Sequence, residues 1–249
     1  MNRVFTILIL ISLMGCQEDK KIPSAQEIVD KSIQVSGGKK YGNSNIEFDF
    51  RNIHYSAELE NGQKVLKRRI ENDTAVILDV KSPSGFKRYI NDSLVSLADT
   101  TANKFANSVN SVHYFAYLPY GLNDRAVQKK LLGKMDINGK SYYKIEVTFM
   151  ENGGGDDFDD VYIYWFNADT FKPDYLAYEF HVNGGGQRFR EAYNERYVGD
   201  IRFVDYKNYK PKLENTPIYD IDSLYLNDQL EFLSNISLEN VKVNQGSYN

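Results

Sequence analysis

Cysteine is almost missing from this 249-residue sequence. Cys16 stands alone, so no disulfide can form within the chain and no cysteine-rich metal site can be built. Histidine is nearly as scarce: His54, His113 and His181 lie far apart, and their spacing implies no convergence on a metal. Positive charge is not in excess either. With 30 Lys and Arg against 34 Asp and Glu the net charge is −4, which leaves no basic footprint for nucleic acid and argues against electrostatic adhesion to anionic lipid. The apolar stretch at residues 4–14 is too short to span a bilayer, which takes roughly 20 residues. Catalytic signatures are missing too. There is no Gly-x-Ser-x-Gly or His-Glu-x-x-His, and Gly139-Lys140-Ser141 lacks the upstream glycine of a phosphate loop.

What the chain has in quantity is aromatic surface, 19 Tyr and 14 Phe, which must be buried or must bind something. The densest stretch is residues 161–166. Val161, Ile163 and Trp165 fall on one face of a strand and Tyr162, Tyr164 and Phe166 on the other, so both faces are apolar and the strand is central. A polar turn at residues 167–170 and Pro173 then lead into a second strand, making a hairpin.

Read in order, residues 1–15 have the form of an export signal, with Arg3 ahead of a short apolar core. Leu13-Met14-Gly15-Cys16 resembles a bacterial lipobox, which would make Cys16 the lipidated N-terminus, carrying chains such as palmitate. Residues 16–23 form a charged tether. An acidic cluster directly after the cysteine resembles the surface-export signal of Bacteroidetes lipoproteins. Residues 24–249 form one domain. Ser24 with Glu27 predicts a capped helix. Asn61-Gly62 and other closely spaced turns across residues 45–97 predict an antiparallel meander. Helices are expected over residues 102–112 and 124–132, joined by the aromatic linker 113–121, and strands resume from residue 142. A helical tail is expected at residues 220–236.

Asp156, Asp157, Asp159 and Asp160 follow three glycines and could wrap a hard cation such as Ca²⁺, although the spacing fits no EF-hand and solvation of a polar loop is the plainer explanation. No other cofactor is expected. Arg188, Arg190 and Arg196 alternate onto one strand face, either as cross-strand ion pairs or as an anion-binding patch.

The segments 137–145, 161–173 and 199–203 resemble the turn-and-strand patterns of the LolA/LolB-like superfamily. Residues 113–122 and 153–166 are similar to a Bacteroidetes lipoprotein family of unknown function. The first resemblance implies an α+β fold, an antiparallel meander forming an incomplete, half-open barrel wrapped over helices. It also implies binding of a lipid or other hydrophobic ligand without catalysis; a soluble carrier of that type lacks a lipid anchor, so Cys16 instead makes this chain an anchored envelope lipoprotein of the outer membrane, expected as a monomer. His113, Tyr114, Phe115, Tyr117, Tyr120, Tyr162, Tyr164 and Trp165 are the expected cavity residues. The linker would act as a lid, with Trp165 at the boundary between core and cavity. Two other readings stay open: a structural or protein-interaction lipoprotein of the outer-membrane surface, and a hydrolase whose groups meet only in three dimensions.

Overall fold

A computed structural model describes residues 22–152, 159–181, 184–213 and 216–245. Cys16, the export signal, Asp156 and Asp157 lie outside these residues. The chain folds into two antiparallel sheets of seven strands each, neither closed into a barrel, with a few helices against them. The first sheet contains β1 (Ser44–Phe50), β2 (Ile53–Glu60), β3 (Gln63–Glu71), β4 (Val76–Ser82), β5 (Gly85–Ile90) and β6 (Ser93–Val95) as a meander. The second runs from β7 (Val127–Ile137) through β8 (Lys140–Phe149), β9 (Val161–Asn167), β10 (Pro173–Phe180), β11 (Gly186–Val198) and β12 (Ile201–Pro211) to β13 (Leu230–Ile236). The last strand, β14 (Glu239–Gln245), crosses back and pairs with β1, tying the sheets together. Asn61-Gly62 and Asn138-Gly139 all adopt positive φ, which is why these pairs can reverse the chain so tightly.

Helix α1 (Ala25–Val35) starts with the capping box that Ser24 and Glu27 predict, and buries Ile28 and Val29. Against them pack Ile145, Val147, Tyr164, Phe166 and Tyr206 from one face of the second sheet. The opposite face of that sheet carries Ile163, Trp165, Tyr175 and Phe189 beneath Ile218 and Ile221. β9 is therefore covered on both sides, as its two apolar faces require. The short helices α2 (Lys40–Asn43) and α4 (Ile221–Leu226) supply Tyr41 and Ile221 to separate clusters.

Helix α3 (Asp99–Ala116) lies on the first sheet over a buried ionic knot. Asp79, with no exposed surface, takes Arg68 at 2.6 Å and Arg88 at 2.6 Å, and Arg68 also reaches the Ser108 hydroxyl at 2.7 Å. The Arg88 guanidinium sits 3.4 Å from the Phe105 ring centroid. Removing one member would leave a charge buried without its partner, at a cost of about 3–5 kcal/mol.

Three expectations need correction. The helix expected at 124–132 is strand β7. Val127 and Leu131 are four apart, a spacing that fits both helix and strand, and a bulge between Leu131 and Gly133 brings Met135 and Ile137 onto the face of Leu132, opposite to Leu131. The helical tail is only α4, because Asp228 takes φ 55° and the chain then pairs with β12 as β13. Finally, the arginines do not share one face. A bulge between Tyr193 and Arg196 shifts the register by one, so Arg196 lies opposite to Arg190 and pairs with Asp205 at 3.1 Å.

Candidate functional site

The segment expected to be a lid over the opening is instead packed. His113 to Ala116 form the last turn of α3, and Tyr120–Asn123 form a 3-10 turn. Tyr117, Leu118 and Leu122 between and within them are buried, so the segment works as a wedge between the sheets. Its aromatic residues divide by helical geometry. Phe115 meets Phe50 at 5.3 Å on one side, and Tyr114 meets Phe149 at 6.3 Å on another. His113 and Tyr117 turn to the first sheet, where both contact Phe48.

Along that side runs a cleft of about 310 Å³, at the lower end of the range for small-molecule sites. Tyr117, Tyr120 and Tyr114 form one wall with His113 and Asn110 of α3. Leu66 and Lys64 of β3, Lys81 and Ser82 of β4, and Pro83 form the other. Tyr41 closes one end, stacked on Tyr120 with centroids 4.9 Å apart, and Asp124 lies beside them. Tyr120 and Pro83 are exposed, which sets them at the mouth. Gly121 is required by close approach: a Cβ there would come within 2.6 Å of Tyr114 Cε2.

The electrostatics of the cleft follow from burial. His113 Nε2 lies 3.1 Å from the Lys67 carbonyl oxygen, which can only accept, so Nε2 carries the proton and Nδ1 accepts from the Tyr117 hydroxyl at 3.0 Å. Burial pushes this imidazole down to about 4. Both ring nitrogens are engaged, so His113 is a fixture of the wall and has no ring nitrogen spare for a ligand. Burial also pushes the Lys64 ammonium down to about 8 and the Asp124 carboxyl up. Lys64 donates to the Ser44 carbonyl. The Tyr114 hydroxyl is buried with no hydrogen-bond partner among the described residues.

Of the expected cavity residues, His113, Tyr114, Tyr117 and Tyr120 line this cleft, and Phe115, Tyr162, Tyr164 and Trp165 do not. Tyr162 and Tyr164 belong with α1 and its core. Trp165 is on the far face of the second sheet, wholly buried, with Nε1 donating to Asp222 Oδ2 at 3.1 Å. The sequence does not single out the cleft residues of β3 and β4, because their strands read only as part of an antiparallel meander. The two lysines lie within that pattern, since Lys64 and Leu66 alternate on one face and cross-strand pairing sets Leu66 opposite Lys81.

Of the acidic loop, Asp159 and Asp160 approach His181, whose Nδ1 is 3.8 and 3.4 Å from their carboxylate oxygens. The wide spacing of the histidines gave no sign of this grouping. His54 pairs with Asp49 at 2.7 Å.

No curated protein matches the sequence. Among solved structures the chain is similar to a LolA superfamily protein from Nitrosomonas europaea, at 15% identity and TM-score 0.44 over 89% of this chain and 94% of that one. A DUF1329 family protein from Desulfovibrio piger is similar at 9% identity and TM-score 0.41, over 90% of this chain and 95% of its own. The lipoprotein LppX of Mycobacterium tuberculosis is similar at 13% identity and TM-score 0.29, over 65% and 91%. These likenesses concern the course of the chain and carry nothing about its chemistry. Among the described residues no helix is long and apolar enough to cross a membrane. The sequence model of the family of unknown function DUF6503 matches residues 2–240, and the chain belongs to that family.

Proposed function

We propose that this protein binds a lipid or other apolar ligand in the cleft between the C-terminal end of α3 and the first sheet, and that a lipidated Cys16 tethers it in the cell envelope. The observation that carries the binding reading is the cleft itself, about 310 Å³ walled by tyrosine rings, Leu66 and Pro83, whereas the aromatic rings around Tyr164 and Trp165 pack against other side chains of their clusters. Aromatic and aliphatic walls exclude water well and hold an alkyl chain without demanding hydrogen bonds from it. A tail that buries about 200 Å² would gain about 5 kcal/mol before the cost of association is subtracted. The tether reading rests on residues 13–16 and the short apolar run before them.

Protein purified from its native membranes should release a stoichiometric apolar species on organic extraction, identified by mass spectrometry. The Asn110→Trp variant, which puts an indole into the cleft from an exposed helix position, should release none. Equal yields from both would remove the cleft from the account. Separately, Cys16→Ala should move the protein from the membrane fraction to the soluble one, and persistence in membranes after a high-salt wash would contradict the tether.

A further inference from the structure

Two of the charged groups in the cleft have no counter-charge. Lys64 and Lys81 stand on adjacent strands, and the pairing of Leu66 with Lys81 makes the two lysines diagonal neighbours on the face turned to the cleft. Among the described residues no carboxylate lies within 4.0 Å of either ammonium. Lys67, on the other face of the same strand, is treated differently, reaching Glu58 at 2.6 Å and Glu60 at 2.8 Å. Lys64 is partly withdrawn from water yet holds only a backbone carbonyl, a poor substitute for an anion.

We propose, resting on the cleft reading above, that the ligand is an amphiphile with a single anionic head, carboxylate or phosphate monoester, and that Lys64 and Lys81 hold that head while the tail lies against Tyr114, Tyr117 and Leu66. The other titratable groups facing this point do not compete for it. His113 from α3 is neutral and bonded at both nitrogens, and Tyr41, Tyr114 and Tyr117 are phenols whose ionisation burial suppresses. Asp124 is the one acid in the lining, and its carboxylate makes no ion pair with Lys64 or Lys81. An anion beside Lys64 would stabilise its charged state, so binding draws a proton onto the protein as the solution approaches about pH 8 from below. Apolar burial alone leaves little after the cost of association, so the head supplies a large share of the affinity.

The test is calorimetric titration with decanoate, decyl phosphate, decanol, acetate and inorganic phosphate. Both anionic amphiphiles should bind about tenfold to a hundredfold tighter than decanol. Lys64→Met and Lys81→Met should close that gap by weakening the anionic amphiphiles far more than decanol, with an unchanged circular dichroism spectrum reporting that each variant is folded. In the wild type the decanoate affinity should fall as pH rises past about 8, and the decanol affinity should not. If decanoate and decanol bind equally, or the lysine variants weaken both alike, the head assignment is wrong and the cleft reading survives. If none of the three amphiphiles binds, the cleft reading itself fails. Inorganic phosphate or acetate binding as tightly as its decyl counterpart would mean a bare anion site and overturn the amphiphile.

Discussion

Two aromatic clusters of this protein, one around Trp165 and one around Tyr117, are built from similar residues and finished in opposite ways. At Trp165 the chain supplies its own cover. Ile218, Ile221 and Tyr225 close over the rings, and the indole N–H and the Lys144 ammonium meet the same Asp222 carboxylate, at 3.1 and 2.5 Å. Beside Tyr117 a cleft remains between α3 and the strands β3 and β4, and Lys64 and Lys81 line it with no carboxylate partner among the described residues. Polar groups withdrawn from water are costly unless paired. The sealed cluster meets that requirement internally, and the open one meets it only with something added. That difference, more than the count of aromatic residues, separates a core from a binding site.

The largest effect should come from breaking the sealed side. Trp165→Ala removes a wholly buried indole and the donor to Asp222, and should cost about 3–5 kcal/mol in denaturant unfolding. A loss below about 1 kcal/mol would mean that α4 does not seal this face and that the contrast is false.

The next effect belongs to the wall of the cleft and depends on pH. The folded His113 titrates near 4, below the ordinary value of 6.5, so the unfolded chain binds the extra proton between those values. Stability from this group is complete above about pH 6.5 and is lost as pH falls toward about 4, on the order of 3 kcal/mol in all. Unfolding of His113→Gln over the same range should lack that component. Parallel pH profiles for variant and wild type would show that the imidazole is not neutral in the fold.

A smaller effect is expected at Gly121. Alanine there forces the Tyr114 ring aside, costing about 1–3 kcal/mol. The displaced ring moves beside the cleft, so ligand affinity should fall along with stability. Unchanged stability with unchanged binding would mean that Tyr114 has room to yield.

How far the sequence foretold this arrangement differs between the same two regions. The two faces of β9 were legible because strict alternation of Val161 through Phe166 admits one geometry. The Ser24 cap and the Asn-Gly turns were legible because each needs only local chemistry. Trp165 is expected at the edge of a cavity and lies instead in a sealed core, because the sequence cannot say which side of a two-faced strand α4 will cover. The composition of segment 113–121 suggests a lid since it reveals apolarity and not depth. β7 and β13 resemble helices in sequence because spacings of three and four carry no register, and only pairing with β8 and β12 decides. The cleft needed β3 and β4 to be laid beside the end of α3, a contact between residues far apart in sequence, and no local pattern encodes that.

The smallest expected change in stability accompanies the most decisive measurement. Asn110 is exposed and lines the cleft, so Asn110→Trp should alter unfolding free energy by no more than about 0.5 kcal/mol while filling the space between α3 and β4. Decanoate titrated calorimetrically into the wild type should give saturable heat at one site, and into this variant none. Equal binding by the two proteins would place the ligand elsewhere and contradict the assignment of the cleft.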